Sequence, residues 1–181
     1  MAESLNGVLL RRIRYSETSL ILTWFTDLHG KIKTIAKGAL RQSSVFAGKL
    51  DLFFQCDLLL TFSRKTELHL LREVSIKATF ERIRTDYLKT TVASYFVELV
   101  EKVTELEHPA PEVYRLLLRA MGYLDRQKPD TRGVLFFESE LCKCLGLYPP
   151  DMHSAAEKLL EAYSQLPETR AALISILSAC I

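Results

Sequence analysis

Two periods of apolar residues divide the chain. From Leu5 to Ala78 apolar positions recur every second residue in short runs broken by turn residues, the signature of strands. The first strand is predicted over Leu5–Arg14, and Ser16-Glu17 turns the chain into a second, Ser19–Thr26. Asp27-Leu28-His29-Gly30 makes the next turn, with an Asp for a local backbone bond and a Gly for positive φ. A third strand follows over Lys31–Lys37, and Ser44 is placed to cap a single helical turn, Val45–Lys49. In Leu52–Phe62 the even positions Leu52, Phe54, Cys56, Leu58, Leu60 and Phe62 form one face. The fifth strand is expected to present Leu68, Leu70, Val74, Ile76 and Ala78 in the same way, across a charged tip at Arg64-Lys65-Thr66-Glu67.

From Thr79 onward the period lengthens to that of a helix. Ile83, Tyr87, Thr91, Tyr95 and Leu99 follow one another by four, with Val92, Phe96, Val100 and Val103 widening the stripe, so one long helix is expected to end near His108. Pro109 and Pro111 break it. Val113, Leu116, Leu117, Ala120, Met121 and Leu124 define a second helix, closed by Lys128-Pro129-Asp130. A third spans Thr131–Leu145 and stops at Gly146 and Pro149-Pro150. Ser154-x-x-Glu157 reads as a capping box for a fourth, and Pro167-Glu168 opens a fifth. The expected class is α+β, with a five-stranded barrel over residues 1–79 and an all-α domain over 80–181. Three meandering strands, a short helical link and two more strands is the element order of an OB-fold; pattern alone also admits an SH3-like barrel.

Charge sharpens this division. The net +2 of the 181 residues hides a basic first part: residues 1–80 carry 12 Lys and Arg against 7 Asp and Glu, whereas residues 81–181 carry 12 against 15. The N-terminal residues have neither the cationic start nor the apolar run of a secretory signal, and Ala171–Ile181 is about half the ~20 residues of a membrane span, so a soluble, cytoplasmic protein without a membrane partner is expected. Cys56, Cys142, Cys144 and Cys180 lie among apolar neighbours without framework spacing and read as reduced thiols.

No catalytic constellation is visible: there is no phosphate-binding Gly-rich loop, no nucleophile elbow and no His-Glu-x-x-His, and His29, His69, His108 and His153 fall in different elements. Cys142 and Cys144 point about 200° apart on a helix, which separates them as ligands of one metal. A non-enzymatic protein without cofactor or metal is therefore expected, and scattered acids such as Asp27, Asp51 and Asp57 show no paired nuclease motif. The informative feature is the third strand, where Lys31, Lys33 and Lys37 share one face while Ile32, Thr34 and Ala36 share the other. Arg11, Arg12, Arg14, Arg41, Lys49, Arg64 and Lys65 extend this cationic track, and Tyr15, Trp24, Phe46 and Phe53 are interleaved aromatics. A basic groove with flat rings holds single strands without sequence preference. The plainer alternatives are that the lysines keep a sheet edge soluble and the rings fill the barrel, or that the basic face serves a protein-interaction adaptor with an acidic partner.

Val8-Leu9-Leu10-Arg11-Arg12, Tyr15 through Leu22, Phe25-Thr26, His29-Gly30-Lys31 and Ala36-Lys37-Gly38-Ala39 with Arg41 closely resemble the N-terminal part of the bacterial RecO family. Leu70-Leu71-Arg72-Glu73, Ala93 through Leu99, Tyr114 through Leu118, Phe137-Glu138, Leu141, Leu145-Gly146 and Pro149 extend the resemblance. It implies an OB-fold that binds single- and double-stranded DNA, anneals complementary strands and works with RecR to load RecA in DNA repair, associated with the bacterial nucleoid. On the residues themselves, Tyr15 or Trp24 is expected to offer a stacking surface beside the cations. The resemblance also implies contact with the acidic C-terminal tail of the single-strand-binding protein, for which Arg115, Arg119, Arg126 and Arg132 are the candidates in the helical part. Many relatives continue into a four-cysteine zinc module, where this chain has Asp151-Met152-His153-Ser154 and a predicted helix.

Overall fold

The computed structural model describes residues 2–179. Five strands come first: β1 (Ala2–Arg14), β2 (Leu20–Thr26), β3 (Gly30–Ala36), β4 (Gln55–Thr61) and β5 (Leu68–Ala78). They close in the order β1-β2-β3-β5-β4, with β1 also paired to β4 and a single parallel junction between β3 and β5. This is the OB-fold arrangement, and closure removes the free strand edges that an open sheet would expose. Alternation sends Leu20, Leu22, Trp24, Ile32 and Ala36 inward, where they pack with Leu5, Leu9, Phe54, Cys56, Leu58 and Leu60. Six helices follow: α1 (Glu81–Arg84), α2 (Tyr87–Val103), α3 (Pro111–Arg126), α4 (Thr131–Cys144), α5 (Ala155–Tyr163) and α6 (Thr169–Ala179).

The chain forms two compact units. One holds the residues up to Thr79 together with Thr104–Tyr114; the other holds Phe80–Val103 and the residues from Arg115 onward. The return of Thr104–Tyr114 to the barrel corrects the single expected helix that was to run on to His108. Helix α2 stops at Val103, and Leu106 bridges to Lys31 in parallel while the Glu107 amide donates to the Lys31 carbonyl at 2.7 Å. The same segment fixes Gly30 at φ +62°, because a Cβ there would lie 1.9 Å from the His108 carbonyl oxygen. His69 is buried with its Nε2 2.9 Å from Glu107 Oε1, and its Nδ1 accepts from the Ser63 amide.

Other expectations shift for identifiable reasons. The stripe from Ile83 through Tyr87 is interrupted because Asp86 starts a new helix, accepting from the Lys89 amide at 3.1 Å, and Tyr87 is left 78% exposed. Residues 45–49 form a chain of turns, Ala47 amide to Ser44 carbonyl and Lys49 amide to Phe46 carbonyl, in place of a helical turn. The expected face of the fifth strand holds at Val74, which is buried, but not before it. His69 and Leu71 are buried and Leu68 and Leu70 only half-buried, since a register shift between Leu59 and Leu60 leaves Arg72 as an extra residue; Ile76 is exposed. Ser154 makes no side-chain cap; Asp151 instead accepts from the amides of His153 and Ser154 and from the Ser154 hydroxyl. Those donors, Ser154 first, hold the Asp151 carboxyl below the ordinary carboxylate range.

In the helical unit, α4 is bounded as its sequence dictates. Asp130 accepts from the Gly133 amide at 2.7 Å at one end, and Gly146 at φ +74° follows the other. Behind it a carboxylate is taken entirely out of water. Glu138 is fully buried, receives the Tyr95 hydroxyl, and is clamped by Arg170 of α6 through Nε at 2.7 Å and a second guanidinium nitrogen at 2.9 Å. Burial and the adjacent Glu138 charge push the Tyr95 hydroxyl well above its ordinary range.

Candidate nucleic-acid interface

The strand register orders the cations. Arg11 pairs with Thr23 and Thr23 with Lys33, so one cross-strand row on the outer face carries a guanidinium and an ammonium on either side of a buried threonine. Lys33 and Lys37 are exposed, whereas Ile32, Thr34 and Ala36 are buried beneath them. Arg41, Arg64 and Lys65 are exposed in loops, and Lys49 is half-buried. Along β3, the exposure of Lys33 between buried Ile32 and Thr34 follows from the alternation of side chains in a strand.

Several candidate cations also make contacts within the barrel. The Lys31 ammonium donates to the Thr104 carbonyl at 2.6 Å and ties the returning segment to the barrel. Arg12 donates to the Leu50 carbonyl at 2.8 Å and lies 3.6 Å from Asp51. Arg14 donates to the carbonyls of Ser16 and Glu17, at 3.2 and 3.4 Å, closing the turn that follows β1. Among the aromatics, Tyr15 is 61% exposed, but Trp24 has no exposed surface and gives its indole N–H to the Thr34 hydroxyl at 3.0 Å. Trp24 therefore offers no ring to a base. Phe46 and Phe53 are buried as well. A tryptophan in an alternating strand is placed by which side its register selects, and here the register selects the core.

The helical unit holds a groove of about 550 Å³ between α2, α3 and α4. Phe96, Leu116, Tyr123, Phe136 and Phe137 give it apolar walls, and Arg119 and Arg132 stand at it. Phe96 and Phe137 stack with centroids 3.9 Å apart, which fixes the floor, while Phe136 remains 47% exposed and Tyr123 45% exposed. Of the four candidate arginines, Arg115 and Arg126 do not line this groove, and Arg126 folds back onto the Gly122 carbonyl at 3.0 Å. The wall residues escaped the sequence reading. Phe136 next to Phe137 was a usable signal, since two adjacent rings on one helix cannot both face the same core.

The recombination protein O N-terminal family model matches residues 1–80, and the recombination protein O C-terminal model matches residues 84–173. The chain belongs to the recombination protein O family. Curated relatives agree with that family assignment. It is 34% identical over 146 residues to a protein named DNA repair protein RecO from Desulfatibacillum aliphaticivorans, covering 80% of this chain and 57% of that one. The protein of the same name from Rhodopirellula baltica is 30% identical, with 79% and 53% covered, and that from Bifidobacterium animalis subsp. lactis is 36% identical, with 71% and 54% covered. The chain spans a little over half the length of these relatives.

A four-cysteine zinc module does not fit the described residues of this family member. Cys56 lies in the barrel and Cys142 and Cys144 in α4, residues 151–154 form the turn before α5, and no described group of three or more His, Cys, Asp or Glu is placed to hold a metal. No described helix is long and apolar enough to cross a membrane.

Proposed function

We propose that this chain is a recombination mediator in DNA repair that binds single- and double-stranded DNA on the outer face of its barrel and makes or breaks no covalent bond. The observation that carries the reading is the exposed cationic row on a closed OB-fold barrel, with Lys33 beside Arg11 and Lys37 and Arg41 continuing it. Phosphates brought to these cations lose part of their mutual repulsion, so two complementary strands held together pair faster. Family membership supports joint action with RecR in loading RecA onto strands coated by the single-strand-binding protein.

The groove in the helical unit suits the acidic C-terminal tail of that protein. An aromatic side chain needs an apolar notch and a terminal carboxylate needs a guanidinium, and Phe96, Phe136, Arg119 and Arg132 provide both within one concavity.

The test is the salt dependence of binding to a poly-dT oligonucleotide. A Lys33→Ala/Lys37→Ala/Arg41→Ala variant should stay folded and lose about 2 from the slope of log affinity against log salt, near 0.7 for each phosphate contact. The same variant should anneal complementary labelled strands more slowly than the unaltered protein. A slope equal to that of the unaltered protein would remove these cations from the interface.

A further inference from the structure

The row beside Arg11–Thr23–Lys33 on the outer face of the barrel has a different character. Ile13 pairs with Ile21, Ile21 with Ile35, and Ile35 with Leu70, so four aliphatic side chains run unbroken across β1, β2, β3 and β5. Ile21, Ile35 and Leu70 point away from the core, because Leu20, Leu22, Ala36 and Leu71 next to them in sequence fill the interior, and Ile13 lies opposite Ile21 in the register. Ile13 is 49% exposed, and Ile21, Ile35 and Leu70 are half-buried. Strands about 4.8 Å apart make this strip roughly 14 Å long. Arg11 and Lys33 lie one row to one side, and Lys37 comes two residues beyond Ile35 on the other.

An aliphatic strip between cations matches a polyanion that also carries apolar flat faces. Unpaired nucleic-acid bases have such faces; a duplex hides them in its stack and presents phosphates alone. We propose that the Ile13–Ile21–Ile35–Leu70 strip is the platform on which unpaired bases lie, and that it makes the barrel bind single strands more tightly than double strands. The inference rests on the barrel face being the DNA-binding surface. Because the platform is aliphatic and carries no hydrogen-bonding group, it holds every base alike. Cations and strip then divide the work: the cations set the salt dependence for both forms of DNA, and the strip adds a salt-independent part for single strands only.

The experiment compares an Ile13→Thr/Ile35→Thr variant with the unaltered protein on a poly-dT oligonucleotide and on a duplex across a salt series, with thermal melting of each protein alongside. Threonine keeps the β-branched shape that strands favour, so the fold is retained. The variant should bind poly-dT about tenfold more weakly, the order expected when apolar contact area on the bases is removed. Its duplex affinity and both salt slopes should be unchanged. Ile76→Thr, a change at an isoleucine 40% exposed and outside the strip, should bind both as the unaltered protein does. Equal weakening on both DNAs overturns the proposal, as does unchanged poly-dT affinity, which is what a strip serving only cross-strand packing or a protein partner would give. Those outcomes leave DNA binding by the cations standing. Failure of the unaltered protein to bind either DNA would overturn the strip and the DNA-binding reading together.

Discussion

The barrel and the helical unit handle charge in opposite ways. In the barrel the cations ride on the solvent side of strands whose other side is a packed core, so Lys33 and Lys37 stay hydrated and spaced by the sheet. In the helical unit the most constrained charge is buried: Glu138 has no exposed surface, and its described side-chain hydrogen bonds come from Tyr95 and Arg170. An exposed, regularly spaced charge adds little to stability and is kept for an external counter-charge. A buried charge is a structural commitment whose partners cannot be removed singly. Surface cations in one unit thus suit a long, diffuse ligand, while the other couples a rigid internal clamp to a compact groove flanked by two arginines.

The comparison breaks most severely at Glu138. Glu138→Ala should cost about 3–5 kcal/mol, because it strands the Arg170 guanidinium and the Tyr95 hydroxyl against α4; Glu138→Gln, which keeps hydrogen-bonding atoms, should cost less. Urea denaturation measures both, and a loss below about 1 kcal/mol for the alanine variant would show that the clamp is not structural. A smaller effect sharpens the contrast between ligands. Arg119→Ala/Arg132→Ala should weaken binding of an acidic peptide ending in an aromatic residue by about 1–3 kcal/mol and leave the poly-dT salt slope untouched. Calorimetric titration with the peptide decides it, and equal affinity for both proteins would take these arginines out of the groove's function.

A pH-dependent effect concerns one buried thiol in each unit. Burial first, then Asp57, pushes the Cys56 thiol up to about 12, and burial with Glu138 pushes Cys142 up to about 11. Both shifts are upward from 9.0, so the unfolded chain releases these protons before the folded one does. Their contribution to stability is complete below pH 9 and is lost as pH rises toward 11 for Cys142 and 12 for Cys56, at up to about 1.4 kcal/mol per pH unit for each thiol. Denaturation midpoints measured from pH 8 to 10.5 should fall accordingly, and Cys56→Ala should flatten the decline. A midpoint that did not move over that range would contradict the shift.

Much of this was legible before any coordinates. Even positions of β4 point inward as their alternation required, with Cys56, Leu58 and Leu60 buried and Phe54 buried just before the strand, while Leu52 and Phe62 outside it are half-buried. The breaks at Pro109–Pro111 and around Gly146 fall where helices end or begin. The face of β5 was misread at Leu68 and Leu70 because the unpaired Arg72 sets the residues before it in opposite alternation to those after it, and a bulge has no signature in alternation. Lys31 and Trp24 looked equivalent in sequence to Lys33 and Tyr15. Their partners, the Thr104 carbonyl and the Thr34 hydroxyl, lie 73 and 10 residues away.

The sequence by itself determined what depends on near neighbours: two units of different period, the surplus of cations in the first, and the caps that bound α4. Tertiary structure alone decided which cations are spent on backbone carbonyls, that four aliphatic residues from four strands form one outward strip, and that Arg170 meets Glu138. Each of those depends on register or on contacts between distant segments, and strand register changes a side chain's surroundings completely with a shift of one residue.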